Sequence, residues 1–172
     1  FNGNKIITSG AGGMIITDNE ILAQKAKHIT TTAKVNHKWN FDHDMPAYNY
    51  RMPNLNASLG LSQIKKIDSY VEEKRKIAEE YKAWGKNNGI SIFWEPKNTK
   101  SNFWLNTLIT NNKKERDSIL RETNDALIMT RPVWTPMHDL SFNKSYQKVS
   151  LDNTIWLADR IVNLPSSVRE ND

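Results

Sequence analysis

The sequence lacks cysteine altogether among its 172 residues. Disulfide bonds and thiolate metal sites are therefore excluded, and the absence agrees with a reducing cytoplasm. No apolar run approaches the roughly 20 residues that a membrane-spanning helix needs, and polar residues follow Phe1 at once, where a signal peptide would continue as an apolar stretch. These absences predict a cytoplasmic protein with no membrane partner.

Charge of one sign is not concentrated either. The net charge is +5, from 24 basic and 19 acidic residues, but lysines alternate with glutamates, as in residues 72–76. Such mixing on a helix gives ion pairs on a solvated face. Five tryptophans lie in apolar segments and are interpreted as core, not as nucleic-acid platforms: Trp84, Trp94, Trp104, Trp134 and Trp156. We expect no nucleic-acid partner, and that alternative rests on the net charge alone.

A long helix is the strongest secondary-structure signal. Apolar residues recur at helical spacing from Asn54 to about Trp84, and Asn87-Asn88-Gly89 is typical of a helix end. Such a helix would span roughly 45 Å. Shorter patterns follow and together predict an α+β arrangement: strands at 90–94, 103–109 and 126–129, and helices at 112–123, with Glu115 in a capping box, and at 152–162.

The first part of the chain is less regular. Residues 6–17 predict two extended pieces around the turn Gly10–Gly13, because glycine permits positive φ. Thr17 and Glu20 have the spacing of a capping box at the start of a helix, in which Ile21, Leu22 and Ala26 would face a core. Residues 30–52 show no period and are rich in aromatics, which is typical of a functional or interfacial segment.

Few groups could carry chemistry. His37, His43 and the neighbouring Asp42 and Asp44 form the one cluster of metal-ligand types, and their spacing matches no standard zinc pattern, so we expect no metal. The glycine-rich turn is neither a Walker loop nor a dinucleotide fingerprint. Lys5 precedes that turn, where partial desolvation would favour a neutral, nucleophilic amine able to form a Schiff base with an aldehyde cofactor.

The segment Phe1–Gly13 resembles the cofactor-lysine segment of the DegT/DnrJ/StrS aminotransferases, which act on nucleotide-linked keto-sugars. Ala11 stands where glutamate is common, a variation similar to the branch that makes diamino and nonulosonic-acid sugars. The similarity continues in order through three further motifs: Tyr48–Gly60, Arg131–His138 and Leu164–Ser167.

This resemblance implies a homodimeric enzyme dependent on pyridoxal phosphate. Lys5 would bind the cofactor covalently and serve as the catalytic base. Asn49 would reach the neighbouring subunit's cofactor phosphate, and Arg51 would hold the amino donor's carboxylate. His138 would contact the sugar nucleotide. The implied reaction moves an amino group from glutamate to a nucleotide-linked 4-keto-6-deoxy-hexose.

The resemblance also implies a fold: the C-terminal part of a fold-type I aminotransferase, with a short, mostly antiparallel sheet, helices and a long interdomain helix. Residues 1–55 would be the tail of the large cofactor-binding domain, and residues 56–172 the small domain. The chain starts without methionine, and the family's other cofactor contacts belong to a preceding half that is not in these residues. We expect the isolated chain to be inactive, and a non-catalytic dimerisation or interaction module is the alternative.

Overall fold

The computed structural model describes residues 1–168. The chain divides into two compact units, Phe1–Ile67 and Asp68–Asp172. The predicted boundary lies between residues 55 and 56, and the assignment of those two parts to a large and a small domain stays a prediction.

The first unit contains helix α1, Glu20–Thr30, which begins one residue after its cap Asn19. The Asn19 side chain accepts a hydrogen bond from the Leu22 N–H at 3.0 Å. The Thr17 hydroxyl instead accepts from the Asn19 N–H at 3.1 Å, so the predicted capping box at Thr17 is wrong. Asparagine supplies the same short side-chain acceptor and lies directly at the helix start.

Residues 6–17 form no β-strand in the structure. The two extended pieces predicted there have no strand to pair with among residues 1–168, and a strand exists only through its ladder of hydrogen bonds. Met14, Ile15 and Ile16 are 67%, 68% and 86% exposed. Ile21 and Leu22 on α1 are also exposed, against the expectation that they face a core.

Residues 31–49 form an irregular arm, closed by the isolated bridges Thr31↔Asn49 and Lys34↔His43. Thr32 and Ala33 adopt positive φ values of 72° and 49°. Ala33 is fully buried, and its carbonyl accepts a hydrogen bond from the Asp44 N–H at 3.3 Å. The prediction of an aperiodic segment here is confirmed.

The predicted long helix is two helices, α2 (Asn54–Ile64) and α3 (Ile67–Asn88). Between them the Lys66 N–H bonds the Gln63 carbonyl at 3.0 Å, a tighter turn than the α-helix makes. Ile64 and Ile67 keep the helical spacing of apolar residues across the junction of α2 and α3. The periodicity of the sequence therefore does not reveal that the helix is interrupted there. The predicted end is confirmed: Gly89 has φ +68°, and the Ile90 N–H bonds the Gly85 carbonyl at 2.8 Å, as in a Schellman motif.

The second unit is built on a four-stranded sheet in which all neighbours are antiparallel. The strands lie in the order β1, β2, β4, β3, and their bounds are Ser91–Ile92 (β1), Asn106–Ile109 (β2), Arg131–Pro132 (β3) and Ile161–Leu164 (β4). Leu108 and Val162 face each other across β2 and β4, and both are buried. An α+β fold with an antiparallel sheet is thereby confirmed.

Two helices complete this unit, α4 (Lys113–Asp125) and α5 (Asp152–Ala158). The Asn112 side chain caps α4 by accepting from the Glu115 N–H at 3.0 Å, and the Glu115 carboxylate accepts from the Asn111 N–H at 2.8 Å. The predicted helix start is confirmed. The Glu115 carboxylate, however, accepts from the N–H of Asn111 and not from that of the cap residue Asn112.

Three predictions for this unit are wrong. Residues 126–129 contain a turn at 126–127 and form no strand, and β3 follows them. The helix predicted over 152–162 ends at Ala158, because the β-branched residues Ile161 and Val162 pair with β2, where such side chains pack well. Three of the tryptophans assigned to the core are 46%, 66% and 48% exposed: Trp84, Trp134 and Trp156.

Polar side chains attach α3 to the segments around the sheet. The buried Lys74 ammonium donates to the Ser166 carbonyl at 2.7 Å, and burial lowers the pKa of Lys74. Arg75 pairs with Glu95 at 2.7 Å. Its guanidinium, together with the Ser101 N–H, lowers the pKa of Glu95 to about 2.

Candidate functional site

Lys5 follows a tight turn in which its backbone N–H bonds the Asn2 carbonyl at 3.1 Å. The residue is exposed, whereas the sequence predicted partial desolvation. Desolvation would require other residues to surround the Lys5 side chain, and residues 1–168 leave it exposed to water. The position still presents a primary amine that an aldehyde can reach.

The glycine-rich turn that follows is fixed on the start of α2. Ser9 is 1% exposed, and its carbonyl accepts a hydrogen bond from the Asn56 side chain. Gly12 has φ +99°, and a Cβ there would lie 2.8 Å from the Met52 side chain. A Cβ on Gly60 would approach Ser9 to 3.3 Å. Glycine at 60 therefore lets Ser9 lie against α2, and glycine at 12 lets the turn lie beside Met52 with positive φ.

Asn49 and Arg51 lie on the extended segment that leads into α2. The Tyr48 N–H bonds the Ile29 carbonyl and the Tyr50 N–H bonds the Thr30 carbonyl, each at 2.9 Å. The rings of Tyr48 and Tyr50 stack with centroids 5.0 Å apart. Alternation along an extended chain directs Asn49, between the two tyrosines, and Arg51, after Tyr50, to the other side. Neither Asn49 nor Arg51 has a side-chain hydrogen bond or ion pair within residues 1–168.

A groove of about 940 Å³ lies beside this segment in the first unit. It is lined by residues 11–15 and 17, by α1 and by residues 50–53 and 56. Lys27 and Arg51 are the charged residues of its lining, and both are cations. Lys5 and Asn49 do not line it. A groove with this charge suits an anionic ligand, and the planar guanidinium of Arg51 matches a carboxylate.

His138 lies in the second unit, in the short 3-10 helix Met137–Asp139. Its side chain is 14% exposed, and Nε2 lies 3.5 Å from the Asp139 carboxylate. Trp134 of the same motif is 66% exposed, although the sequence analysis assigned it to the core. Prolines at 132 and 136 surround it and break any buried strand, which was the available signal.

The histidine and aspartate cluster of the arm is used structurally. His37 Nδ1 accepts from the N–H groups of Trp39 at 3.3 Å and Asn40 at 3.0 Å. His43 Nδ1 lies 2.7 Å from the Thr32 carbonyl oxygen, and Asp44 pairs with His28 at 2.7 Å. Within residues 1–168 no group of three or more His, Cys, Asp or Glu could hold a metal ion.

The helices in this same part of the chain are all too short or too polar to cross a membrane.

The fold is that of the C-terminal part of a fold-type I aminotransferase. The crystal structure of the aminotransferase TlmJ from Streptoalloteichus hindustanus superimposes with a TM-score of 0.86 at 22% identity. The match covers 97% of this chain and 45% of that one.

The chain belongs to the DegT/DnrJ/EryC1/StrS aminotransferase family, which matches residues 1–171. It is 34% identical to the GDP-perosamine synthase of Escherichia coli O157:H7, over 96% of this chain and 45% of that protein. It is also 34% identical to the GDP-perosamine synthase of Vibrio cholerae, over 96% of this chain and 46% of that protein. The chain thus spans about half the length of these relatives. Enzymes of this family use pyridoxal phosphate.

Proposed function

We propose that this chain is the C-terminal part of an enzyme that moves an amino group from glutamate to a nucleotide-linked 4-keto-6-deoxy-hexose, using pyridoxal phosphate. Membership of the family supports the reaction class, and the name GDP-perosamine synthase of two relatives supports a nucleotide-linked sugar. The observation that carries the proposal is that the exposed Lys5 lies in one unit with Asn49 and Arg51, whose side chains make no hydrogen bond or ion pair within residues 1–168.

The residues present fit the cofactor's chemistry. Pyridoxal phosphate offers an aldehyde and a phosphate, which call for a primary amine and hydrogen-bond donors. Lys5 supplies the amine. Asn49 has an amide N–H₂ that no residue among 1–168 uses. When bound, the cofactor supplies an electron sink that makes the proton on the amino donor's Cα removable.

The chain's own residues then hold and move groups around that centre. Lys5 would hold the cofactor through its amine. Once the incoming donor has released that amine, it would carry the proton from Cα of the donor to the former aldehyde carbon of the cofactor. Arg51 orients the donor by a two-point contact with its α-carboxylate. Asn49 donates to the phosphate in the other subunit of a homodimer. His138 contacts the sugar nucleotide.

The domain roles belong to the same proposal. Residues 1–55 complete a large cofactor-binding domain, and residues 56–172 form the small domain. In this proposal the aromatic that covers the cofactor ring, the acid for the pyridine nitrogen and the phosphate-binding turn belong to the part of the enzyme outside the 45% that this chain matches. The exposure of Lys5 supports the view that the isolated chain does not turn over.

The test joins this chain at Phe1 to the preceding part of the Escherichia coli relative. The chimera should give an absorbance band with pyridoxal phosphate that survives dialysis, and it should transfer nitrogen from glutamate. Lys5→Ala should abolish both, whereas Lys25→Ala, an exposed lysine of α1, should abolish neither. The isolated chain should show no band. A folded Lys5→Ala chimera that keeps both properties would refute the role of Lys5.

A non-catalytic dimerisation or interaction module is the second candidate. It is favoured by the exposed apolar side chains of the first unit, among them Ile15, Ile16 and Leu55, which is 83% exposed. Sedimentation of the isolated chain separates the two candidates. A tight dimer without cofactor, with no catalysis by the chimera, would support the module.

A further inference from the structure

Trp134 is held in a position that its own packing does not explain. Its side chain is 66% exposed, although tryptophan is among the residues that gain most from burial. One ring face stacks on Trp104, with centroids 6.1 Å apart and planes 21° from parallel. The indole N–H of Trp134 has no hydrogen-bond partner within residues 1–168. The ring is thus supported behind and open in front.

The backing residue Trp104 is fixed by its main chain. Its N–H donates to the Asn102 side chain at 3.1 Å, and its carbonyl lies 3.4 Å from the buried Lys74 ammonium. It follows the buried Phe103 and precedes β2 by two residues. These bonds fix the backbone from which the Trp104 ring projects.

The segment that carries Trp134 is fixed at both ends. Before it, Pro132 pairs with Val162 in the sheet. After it, Pro136 accepts a hydrogen bond from the Asp139 N–H at 2.9 Å and starts the short helix that holds His138. A ring fixed in this way loses little conformational freedom when a ligand covers it.

We propose that the open face of Trp134, backed by Trp104, is the stacking platform for the nucleobase of the nucleotide-linked substrate. This proposal rests on the proposed function for the presence of a nucleotide and adds the residue that holds its base. A flat aromatic face binds a base by stacking and tolerates different bases. The indole N–H, which no residue among 1–168 accepts, can donate to a base or ribose oxygen. His138, placed four residues later, is the predicted sugar-nucleotide contact.

The occupant is a base and not a phosphate, because the platform offers an aromatic face and one donor. Both tryptophans belong to the second unit, so the platform is contained in this chain and can be tested on it. Binding to the platform involves no cofactor.

The experiment titrates the 172-residue chain with GDP, UDP and inorganic pyrophosphate by calorimetry. GDP should bind more tightly than UDP because the purine covers more of the ring, and pyrophosphate, which has no base, should bind most weakly. Trp134→Ala should weaken GDP binding about tenfold, since stacking of one base on an aromatic residue has that magnitude. The same change should leave pyrophosphate binding unaltered, and Trp134→Phe should retain most of the affinity for GDP.

The matched control is Trp39→Ala, which removes a tryptophan that is 71% exposed in the other unit. It should leave GDP binding unchanged. Equal weakening by both substitutions, equal loss for GDP and pyrophosphate, or no measurable GDP binding by the unsubstituted chain would overturn the proposal. A dimer that dissociates on Trp134→Ala, with unchanged GDP affinity, would also overturn it by assigning the face to a second copy.

The two proposals fail separately. Lys5→Ala should abolish the cofactor band of the chimera and leave GDP binding intact. If the band is present but Trp134→Ala has no effect on GDP affinity, only the proposal of a stacking platform is refuted. If GDP binds through Trp134 but the band does not depend on Lys5, only the catalytic proposal is lost.

Discussion

Gly85 is a buried residue of α3 in the second unit. Its replacement by alanine has two opposite effects on stability: a gain in helix propensity and a steric cost. Alanine is favoured over glycine in a helix interior by about 1 kcal/mol. At this position a Cβ would lie 2.6 Å from Cγ1 of Ile92 and 2.7 Å from the carbonyl oxygen of Ile90. The first contact can relax by moving a side chain, but the second is backbone. Moreover, the Ile90 N–H is itself bonded to the Gly85 carbonyl.

Overpacking a filled site costs about 1–3 kcal/mol. We therefore expect Gly85→Ala to lower the free energy of unfolding by up to about 2 kcal/mol after the gain of about 1 kcal/mol in helix propensity is subtracted. The measurement is urea denaturation of the chain, monitored by circular dichroism. The slope of the unfolding free energy against urea concentration should stay unchanged. Lys86→Ala, at the next and exposed helix position, is the control and should change stability by no more than about 0.5 kcal/mol. A gain of about 1 kcal/mol for Gly85→Ala would refute the close approach of α3 to the chain entering β1.

Three further predictions concern the second unit. Asn112→Ala should cost about 1 kcal/mol in urea denaturation because it removes the α4 cap, whereas no loss would show that the cap is not used. Leu127 has φ +61° and is 94% exposed. Leu127→Gly should therefore raise the melting temperature by relieving left-handed strain, and a fall would contradict that conformation. Because Arg75 and the Ser101 N–H lower the pKa of Glu95 to about 2, the carboxylate's contribution is complete above its ordinary pKa of 4.5. It is lost as the pH falls from there towards 2. Melting temperatures of Glu95→Gln should depend less on pH across that window, and equal dependence would contradict the pairing.

The candidate site was visible in the sequence only as ordered motifs. Lys5, Asn49, Arg51 and His138 could be assigned by resemblance, but no spacing rule places Arg51 on a groove shared with Lys27. Trp134 was assigned to the core because composition treats every tryptophan in an apolar segment alike. Whether the ring is buried depends on what covers its two faces. Trp104, thirty residues earlier, stacks on one face, yet the side chain stays 66% exposed, and local pattern cannot report such distant contacts.

Local signals by themselves determined the helix at α4, the end of α3 and the α+β character of the second unit. Each of these depends on neighbouring residues: a side chain that caps its own helix, or a glycine that permits positive φ. Tertiary structure alone decided the break between α2 and α3, the strand at 161–164 in place of a helix, and the absence of strands at 6–17. The physical reason is the same in each case. A strand needs a distant partner for its hydrogen bonds, and an apolar period can continue through a turn of backbone that only three-dimensional packing selects.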